Sequence, residues 1–274
     1  MERIKEALDR ARRERGERGT ADSRGAPPPG LASNVQPLPR TEEIRYTQTR
    51  VVDTDPALLS RNRIVAGRDR DPAADAFRIL RTRVMQVMRG NGWKSLAITS
   101  PSVGEGVSLT AINLAISLAR EVSQTVLLVD LDLRRPKIHE RLGIDVEFGI
   151  SDYLISDQPL SNALVNPGIE RLLVLPGREG QGYVSEMMTT PQMRHFVEEI
   201  TSRYPERIVI FDLPPVCMSD DVLAFSPLVD AFLLVVRDNF TEQPNLRQAV
   251  ELLKNVNLVG TVLTASDESP SVPY

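Results

Sequence analysis

Residues 94–137 constrain the fold more than any other stretch, because they read as a strand, a loop, a helix and a second strand in immediate succession. Leu96, Ala97 and Ile98 form a short apolar run that gives way to the loop 100–108. From Ser108 onward Ala111, Ile112, Leu114, Ala115 and Leu118 keep the spacing of an apolar helix. A helix N-terminus presents unpaired N–H donors and the positive end of its dipole, and Gly104 and Gly106 let the backbone approach an anion, so the loop is a place for phosphate. The phosphate-loop pattern asks for Gly-Lys-[Ser/Thr] at its end. Here Gly106 and Ser108 flank Val107, and the lysine is missing.

The strand-and-helix pattern continues downstream. Residues 125–131, 171–175, 208–213, 231–236 and 258–263 are continuous apolar runs, separated by helical stretches that include 184–203 and 243–256. Such runs fit strands buried on both faces, and their alternation with helices predicts an α/β fold: a mainly parallel sheet flanked by helices on both faces, with ligand chemistry at the strand C-terminal ends. Upstream, Asp71-Pro72 opens a helix expected to run through Met88 before Gly90-Asn91-Gly92 stops it. Its Asp75, Arg78 and Arg81 lie three apart on one face, as a solvated charged stripe or a subunit contact. The domain so defined covers 71–265. Before it come an amphipathic helix over 1–18, carrying Ile4, Ala7, Leu8 and Ala11, and a Pro/Gly-rich linker and pre-domain segment over 19–70. The helix reads as a frayed solvated segment, as a docking element for a partner or, against the dilution of its basic charge by acids, as a membrane-surface helix. The tail 266–274 is polar and proline-broken, and is expected to be disordered.

Composition narrows the function classes. A formal charge of −4 over 274 residues does not point to nucleic acid. No run of eighteen apolar residues occurs, and the charged N-terminus lacks the apolar core of a signal peptide, so the expected location is the cytoplasm. Cys217 is the single cysteine, and His139 and His195 lack metal-ligand spacing, which argues against a thiolate or histidine metal centre.

Two further strand ends carry carboxylates. Val129-Asp130-Leu131-Asp132-Leu133-Arg134-Arg135-Pro136 places two acids two residues apart, on one side if the strand continues through Asp132. Such a pair suits magnesium and its water shell or activation of a hydroxyl, the alternative being a polar strand end that caps the next helix. Residues 208–212, Ile-Val-Ile-Phe-Asp, are the Walker B arrangement, in which the aspartate, here Asp212, holds magnesium through water.

The Gly-Glu-Gly loop with Asn113-Leu114-Ala115 after it, then V-D-L-D-L-R-R-P, then I-F-D-L-P-P-V with Asp221 nine residues beyond Asp212, resembles the bacterial tyrosine kinases of capsule and exopolysaccharide assembly. The likeness covers about residues 70–265 and implies the ParA/MinD-type deviant phosphate-loop fold. It implies ATP and Mg2+ as cofactors, with Gly104, Glu105, Gly106, Val107, Ser108 and Leu109 around the nucleotide. Asp130 and Asp132 would be the catalytic Walker A′ carboxylates, and Ser108, Asp130 and Asp212 the magnesium ligands. Asp75, Arg78 and Arg81 look like the family's E-x-x-R-x-x-R oligomerisation motif with Asp in place of Glu, and the N-terminal segments look like the exosortase-associated branch. A membrane polysaccharide co-polymerase is the implied partner, with recruitment to the inner membrane through it, and self-association or pairing with a related kinase is the implied assembly.

The departures decide the activity to expect. Val107 replaces the lysine that meets the β/γ-phosphates, and Val103 and Pro101 also depart from the family loop. Losing one charged partner from a desolvated contact costs about 2–5 kcal/mol, roughly thirty- to several-thousand-fold. Rescue by Lys94, Lys137, Arg134 or Arg135 is the way around this loss, although none occupies the loop position. The family's C-terminal tyrosine cluster is reduced to Tyr274, a phosphoacceptor or an incidental tail residue. The expectation is a catalytically degenerate regulatory member. The rivals are an active tyrosine autokinase and, more distantly, a ParA/MinD-like positioning ATPase.

Overall fold

A computed structural model describes residues 49–68, 71–121, 123–156, 158–179 and 184–266. The expected helix over 1–18, most of the linker and the tail with Tyr274 lie outside the described residues. Among the described residues no helix is long and apolar enough to cross a membrane.

The apolar runs become strands, and their side chains explain why the runs are continuous. The strands are β1 (Arg50–Val51), β2 (Ser95–Thr99), β3 (Thr125–Asp130), β4 (Val165–Asn166), β5 (Leu172–Leu175), β6 (Arg207–Asp212), β7 (Ala231–Arg237) and β8 (Leu258–Thr264). Along β2, β3, β6 and β7, Leu96, Ile98, Val126, Leu128, Ile208, Ile210, Leu233 and Val235 enter one core. The residues between them, Ala97, Leu127, Val129, Val209, Phe211, Phe232 and Leu234, enter a second core on the other face. Period-two alternation thus feeds two buried faces, and the buried polar residues of these strands, Ser95, Thr99, Asp130 and Asp212, stand at their ends.

The sheet order is β1-β4-β5-β3-β6-β2-β7-β8, with every neighbouring pair parallel except the antiparallel β4–β5. Helices α1 (Pro56–Arg61), α2 (Pro72–Asn91), α3 (Val107–Ala119), α4 (Ile138–Leu142), α5 (Ile150–Ser156), α6 (Leu160–Ala163), α7 (Val184–Met188), α8 (Pro191–Ser202), α9 (Asp221–Phe225) and α10 (Gln243–Leu252) connect them. The chain leaves β2 towards β3 on one side, and leaves β6 towards β7 on the other. The crevice between those divergent connections is where an open parallel sheet binds ligands.

Several local expectations change. The helix foreseen over 184–203 is two helices, because Pro191 cannot continue a hydrogen-bonded turn and Thr190 caps a new one by accepting from the Met193 N–H at 3.1 Å. Helix α2 starts as expected, with Asp71 accepting from the Ala73 N–H at 3.0 Å, but passes through Gly90 and ends only where Gly92 adopts a left-handed φ of 69°. Helix α10 stops at Leu252, short of the expected 256. Strand β3 ends at Asp130, so Asp132 stands in the following loop and the two acids do not share a strand face.

The segment before residue 71 belongs to the folded domain from at least residue 49. The Val52 N–H donates to the Asn166 carbonyl at 2.8 Å, and buried Asn113 of α3 clamps the chain after α1. Its Oδ1 accepts from the N–H groups of Val65 and Ala66 at 2.8 and 3.0 Å, and its Nδ2 donates to the Arg63 carbonyl at 3.2 Å. Asn113→Ala leaves two buried donors unmet and is expected to cost about 3 kcal/mol, a fall in Tm of roughly 6–12 °C. Hydrogen exchange at Val65 and Ala66 reads the clamp directly: unchanged protection in the variant would refute this role.

Candidate functional site

Three strand ends meet at the centre of the sheet. In register, Asp130 of β3 lies opposite Asp212 of β6, and Asp212 opposite Ile98 of β2, just before the phosphate-loop-like turn. That turn is held from outside. The Glu105 carboxylate accepts from the Ser102 N–H at 3.0 Å, the Gly104 carbonyl accepts from Arg237 at 3.1 Å, and the Glu105 carbonyl accepts from the Thr264 hydroxyl at 2.7 Å. Gly104 and Gly106 take φ values of 87° and 97°, a conformation that an L side chain resists. Gly106 is also the N-cap of α3 and has no side chain to cap it. The first-turn N–H groups at Val107, Ser108 and Leu109 therefore stay open to an anion, as the glycine spacing implies.

A cleft of about 390 Å3 opens over this turn. Its walls include Gly104 to Ser108, Asp132, Arg134, Arg135, Lys137 and Arg141. Val107 lines the cleft and also packs against the core beneath α3, offering neither charge nor hydrogen bond.

The carboxylates are buried and under-satisfied. Asp130 is fully buried, and its Oδ2 accepts from the N–H groups of Lys137 and Ile138, both at 3.0 Å. It therefore caps α4, the structural alternative weighed for this strand end, while its Oδ1 meets no partner. Burial pushes its carboxyl up to about 7, the two N–H groups opposing the rise and the neighbouring Asp132 adding to it. Asp212 is raised well above the ordinary carboxylate range, first by burial and then by repulsion from Asp130. The nearby Ser108 hydroxyl opposes that rise, but both Asp212 oxygens remain without a hydrogen-bond partner. Asp132 is raised by burial and accepts from the Arg135 N–H at 3.1 Å.

Three orphaned carboxylate oxygens beside a hydroxyl are what a hard cation would satisfy. Among the described residues no group of three His, Cys, Asp or Glu side chains could hold a metal alone. A cation here would complete its shell with water and phosphate oxygens, which is how magnesium binds. Ser108, Asp130 and Asp212 thus fit the ion, and when bound it would neutralise phosphate charge.

Of the candidate rescue cations, two are paired with acids and one is remote from the loop. Arg134 grips buried Asp221 with Nε–Oδ2 and Nη2–Oδ1 contacts of 2.8 and 3.1 Å. Burial alone would raise Asp221, but its bonds from Arg134, Ser185 and Ser219 outweigh this and hold it below the ordinary range. Lys137 pairs with Glu140 at 2.9 Å, while the Arg135 side chain is exposed at the rim of the cleft and acts on Asp132 only through space. Lys94 precedes the N-terminal end of β2, at the far end of that strand from the loop. The sequence reading passed over Arg141, which lines the cleft; the one available signal was its i,i+4 spacing from Lys137 on the short helix after the second motif. Of the stripe on α2, Asp75 and Arg78 pair on the exposed face, whereas Arg81 turns inward to Glu121 at 3.4 Å and to the Ser117 carbonyl at 3.0 Å.

No protein-family model matches the chain. The tyrosine-protein kinase YwqD of Bacillus subtilis is 27% identical over 218 residues, spanning 79% of this chain and 91% of that protein. The chain is a homologue of the bacterial tyrosine kinases. Among these relatives, the succinoglycan biosynthesis transport protein ExoP of Rhizobium meliloti is 28% identical over 211 residues, covering 75% of this chain but only 26% of ExoP. The chain therefore spans most of YwqD and about a quarter of the longer relative. The solved kinase domain of the Escherichia coli tyrosine kinase ETK superposes with a TM-score of 0.69 at 26% identity, over 82% of this chain and 91% of that domain. The septum site-determining protein MinD of Pyrococcus horikoshii, solved with Mg-ADP, matches with a TM-score of 0.54 at 21% identity over 64% of this chain and 72% of MinD. That second likeness shows the shared ParA/MinD fold.

Proposed function

We propose that the chain is a cytoplasmic, kinase-like protein of exopolysaccharide or capsule biosynthesis and export. In this reading it is a catalytically degenerate regulatory partner of a membrane polysaccharide co-polymerase, and it holds magnesium and a nucleoside polyphosphate weakly. The observation that carries the reading is the state of position 107: Val107 is packed on the core, and Arg134 and Lys137 are paired with Asp221 and Glu140. Charge that develops on a transferring phosphoryl group would meet no loop lysine, the kind of loss that reduces rates by orders of magnitude.

The intact acids favour a second reading, an active tyrosine autokinase. Asp130, Asp212 and Ser108 would then hold magnesium, Asp132 would serve the acceptor hydroxyl, and Tyr274 would be an acceptor. In either reading the exposed Asp75–Arg78 pair is a candidate subunit contact with another copy or a related kinase. Purified full-length protein with Mg–ATP separates the two readings. Weak calorimetric binding and an empty anti-phosphotyrosine blot are expected. Micromolar binding with strong tyrosine phosphorylation would establish the active kinase instead.

A further inference from the structure

Helix α4 is five residues long and is held at both ends by unrelated parts of the chain. The Asp130 carboxylate accepts from the N–H groups of Lys137 and Ile138 at its start. At its end the Asn62 amide donates to the Arg141 carbonyl at 2.8 Å, and Gly143 closes the helix in a left-handed conformation against Leu58 of α1. A clamp of this kind fixes where Arg141 stands. Its side chain enters the cleft over the phosphate-loop-like turn, half-buried, with a buried Nε that meets no acceptor. Its charge reaches Asp212, at the place where a magnesium-bound phosphate would lie. Of the other cations of the cleft, Arg134 is paired with Asp221 and Lys137 with Glu140, and Arg135 is exposed, whereas Arg141 is half-buried.

We infer that Arg141 supplies, from α4, the phosphate-binding cation that position 107 lacks, and that its ligand is the terminal phosphate of a magnesium-bound nucleoside di- or triphosphate. The inference rests on the proposed occupancy of this cleft by a nucleotide. A planar guanidinium with its donors in a fixed fork is suited to phosphate oxygens, and one fixed by α4 loses little freedom on binding.

The test is calorimetry of the full chain with Mg–ATP, Mg–ADP and AMP, alongside Arg141→Met, Arg141→Gln and Arg141→Lys. Removing the charge is expected to weaken Mg–ATP by at least about tenfold and to leave AMP unchanged, while Arg141→Lys stays within about threefold of the parent. The decisive comparison is a double-mutant cycle with Val107→Lys: if both cations meet the same phosphate, Val107→Lys should gain clearly more Mg–ATP affinity in the Arg141→Met background than in the parent, whereas equal gains in the two backgrounds would show that Arg141 acts elsewhere and overturn the inference. Equal Mg–ATP affinity in the parent and in whichever neutral variant folds would overturn the inference. So would a loss that is the same for AMP, or a parent that binds no Mg–ATP at millimolar concentration. That last result would leave the degenerate reading standing, whereas strong autophosphorylation that disappears in Arg141→Met would support Arg141 and overturn degeneracy.

Discussion

Val107→Lys is expected to tighten Mg–ATP binding by about thirtyfold or more, the low end of what a buried charge contact contributes. Two terms oppose the gain, and both act on the protein without ligand. Val107 packs against the core beneath α3, so losing its branched side chain costs about 1 kcal/mol of stability. An ammonium at the first turn of α3 also faces the positive end of the helix dipole, at about 0.3–1 kcal/mol. The variant should therefore melt a few degrees lower when free and higher than the parent in excess Mg–ATP, a crossover that thermal melts would show directly. The carboxylates, the open first-turn N–H groups and the glycine-permitted turn are already in place, so binding should respond at once. Unchanged affinity in a folded variant would mean that the loop is not shaped for phosphate.

Much of this was legible in the chain because the carriers are local. Short apolar runs bounded by turns fit strands buried twice, and the alternation of Ile98, Val126 and Ile210 with Ala97, Leu127 and Val209 between two cores follows from them. The two glycines of the turn and the acids at 130 and 212 could be placed at strand ends for the same reason. What escaped depends on tertiary partners. That β3 stops at Asp130 follows from its carboxylate being drawn into capping α4, which no strand pattern encodes. The break at Pro191 was written in the sequence, but the long helical pattern around it outweighed the proline. The stretch 49–68 showed no period because its anchors are irregular: Ile64 and Ala66 enter the core, Val52 and Leu59 pack on it, and hydrogen bonds to Asn113 and Asn166 hold the backbone between them. Arg141 became visible only when its neighbours were seen to be paired.

Asp212→Asn should stabilise the metal-free protein at neutral pH, the opposite of what removing a buried charge from a satisfied pair would do. Asp130 and Asp212 face each other in register, and burial raises both, with repulsion from Asp132 adding at Asp130 and repulsion from Asp130 adding at Asp212. A carboxylate whose pKa is higher folded than unfolded binds protons preferentially in the folded state. Its contribution to stability is complete at low pH and falls as pH rises from the unfolded value through the folded one. For Asp130 that window runs from 3.8 to about 7, and the full fall is about 4 kcal/mol. Urea unfolding of metal-free protein should thus show stability declining between about pH 4 and pH 7. Asp212→Asn removes one charge and relieves Asp130, against about 1–3 kcal/mol for a buried amide short of partners. The net expectation is a gain of about 1–3 kcal/mol at pH 7.5, or roughly 3–10 °C in Tm, with a flatter pH profile. Millimolar magnesium should raise the Tm of the parent at pH 7.5 and leave the variant unmoved, because the ion and the proton compete for the same orphaned oxygens. A variant less stable than the parent at pH 7.5 but equal to it at pH 5 would show that the pair is neutralised by a partner in the native fold, and would remove the basis for placing a cation between them.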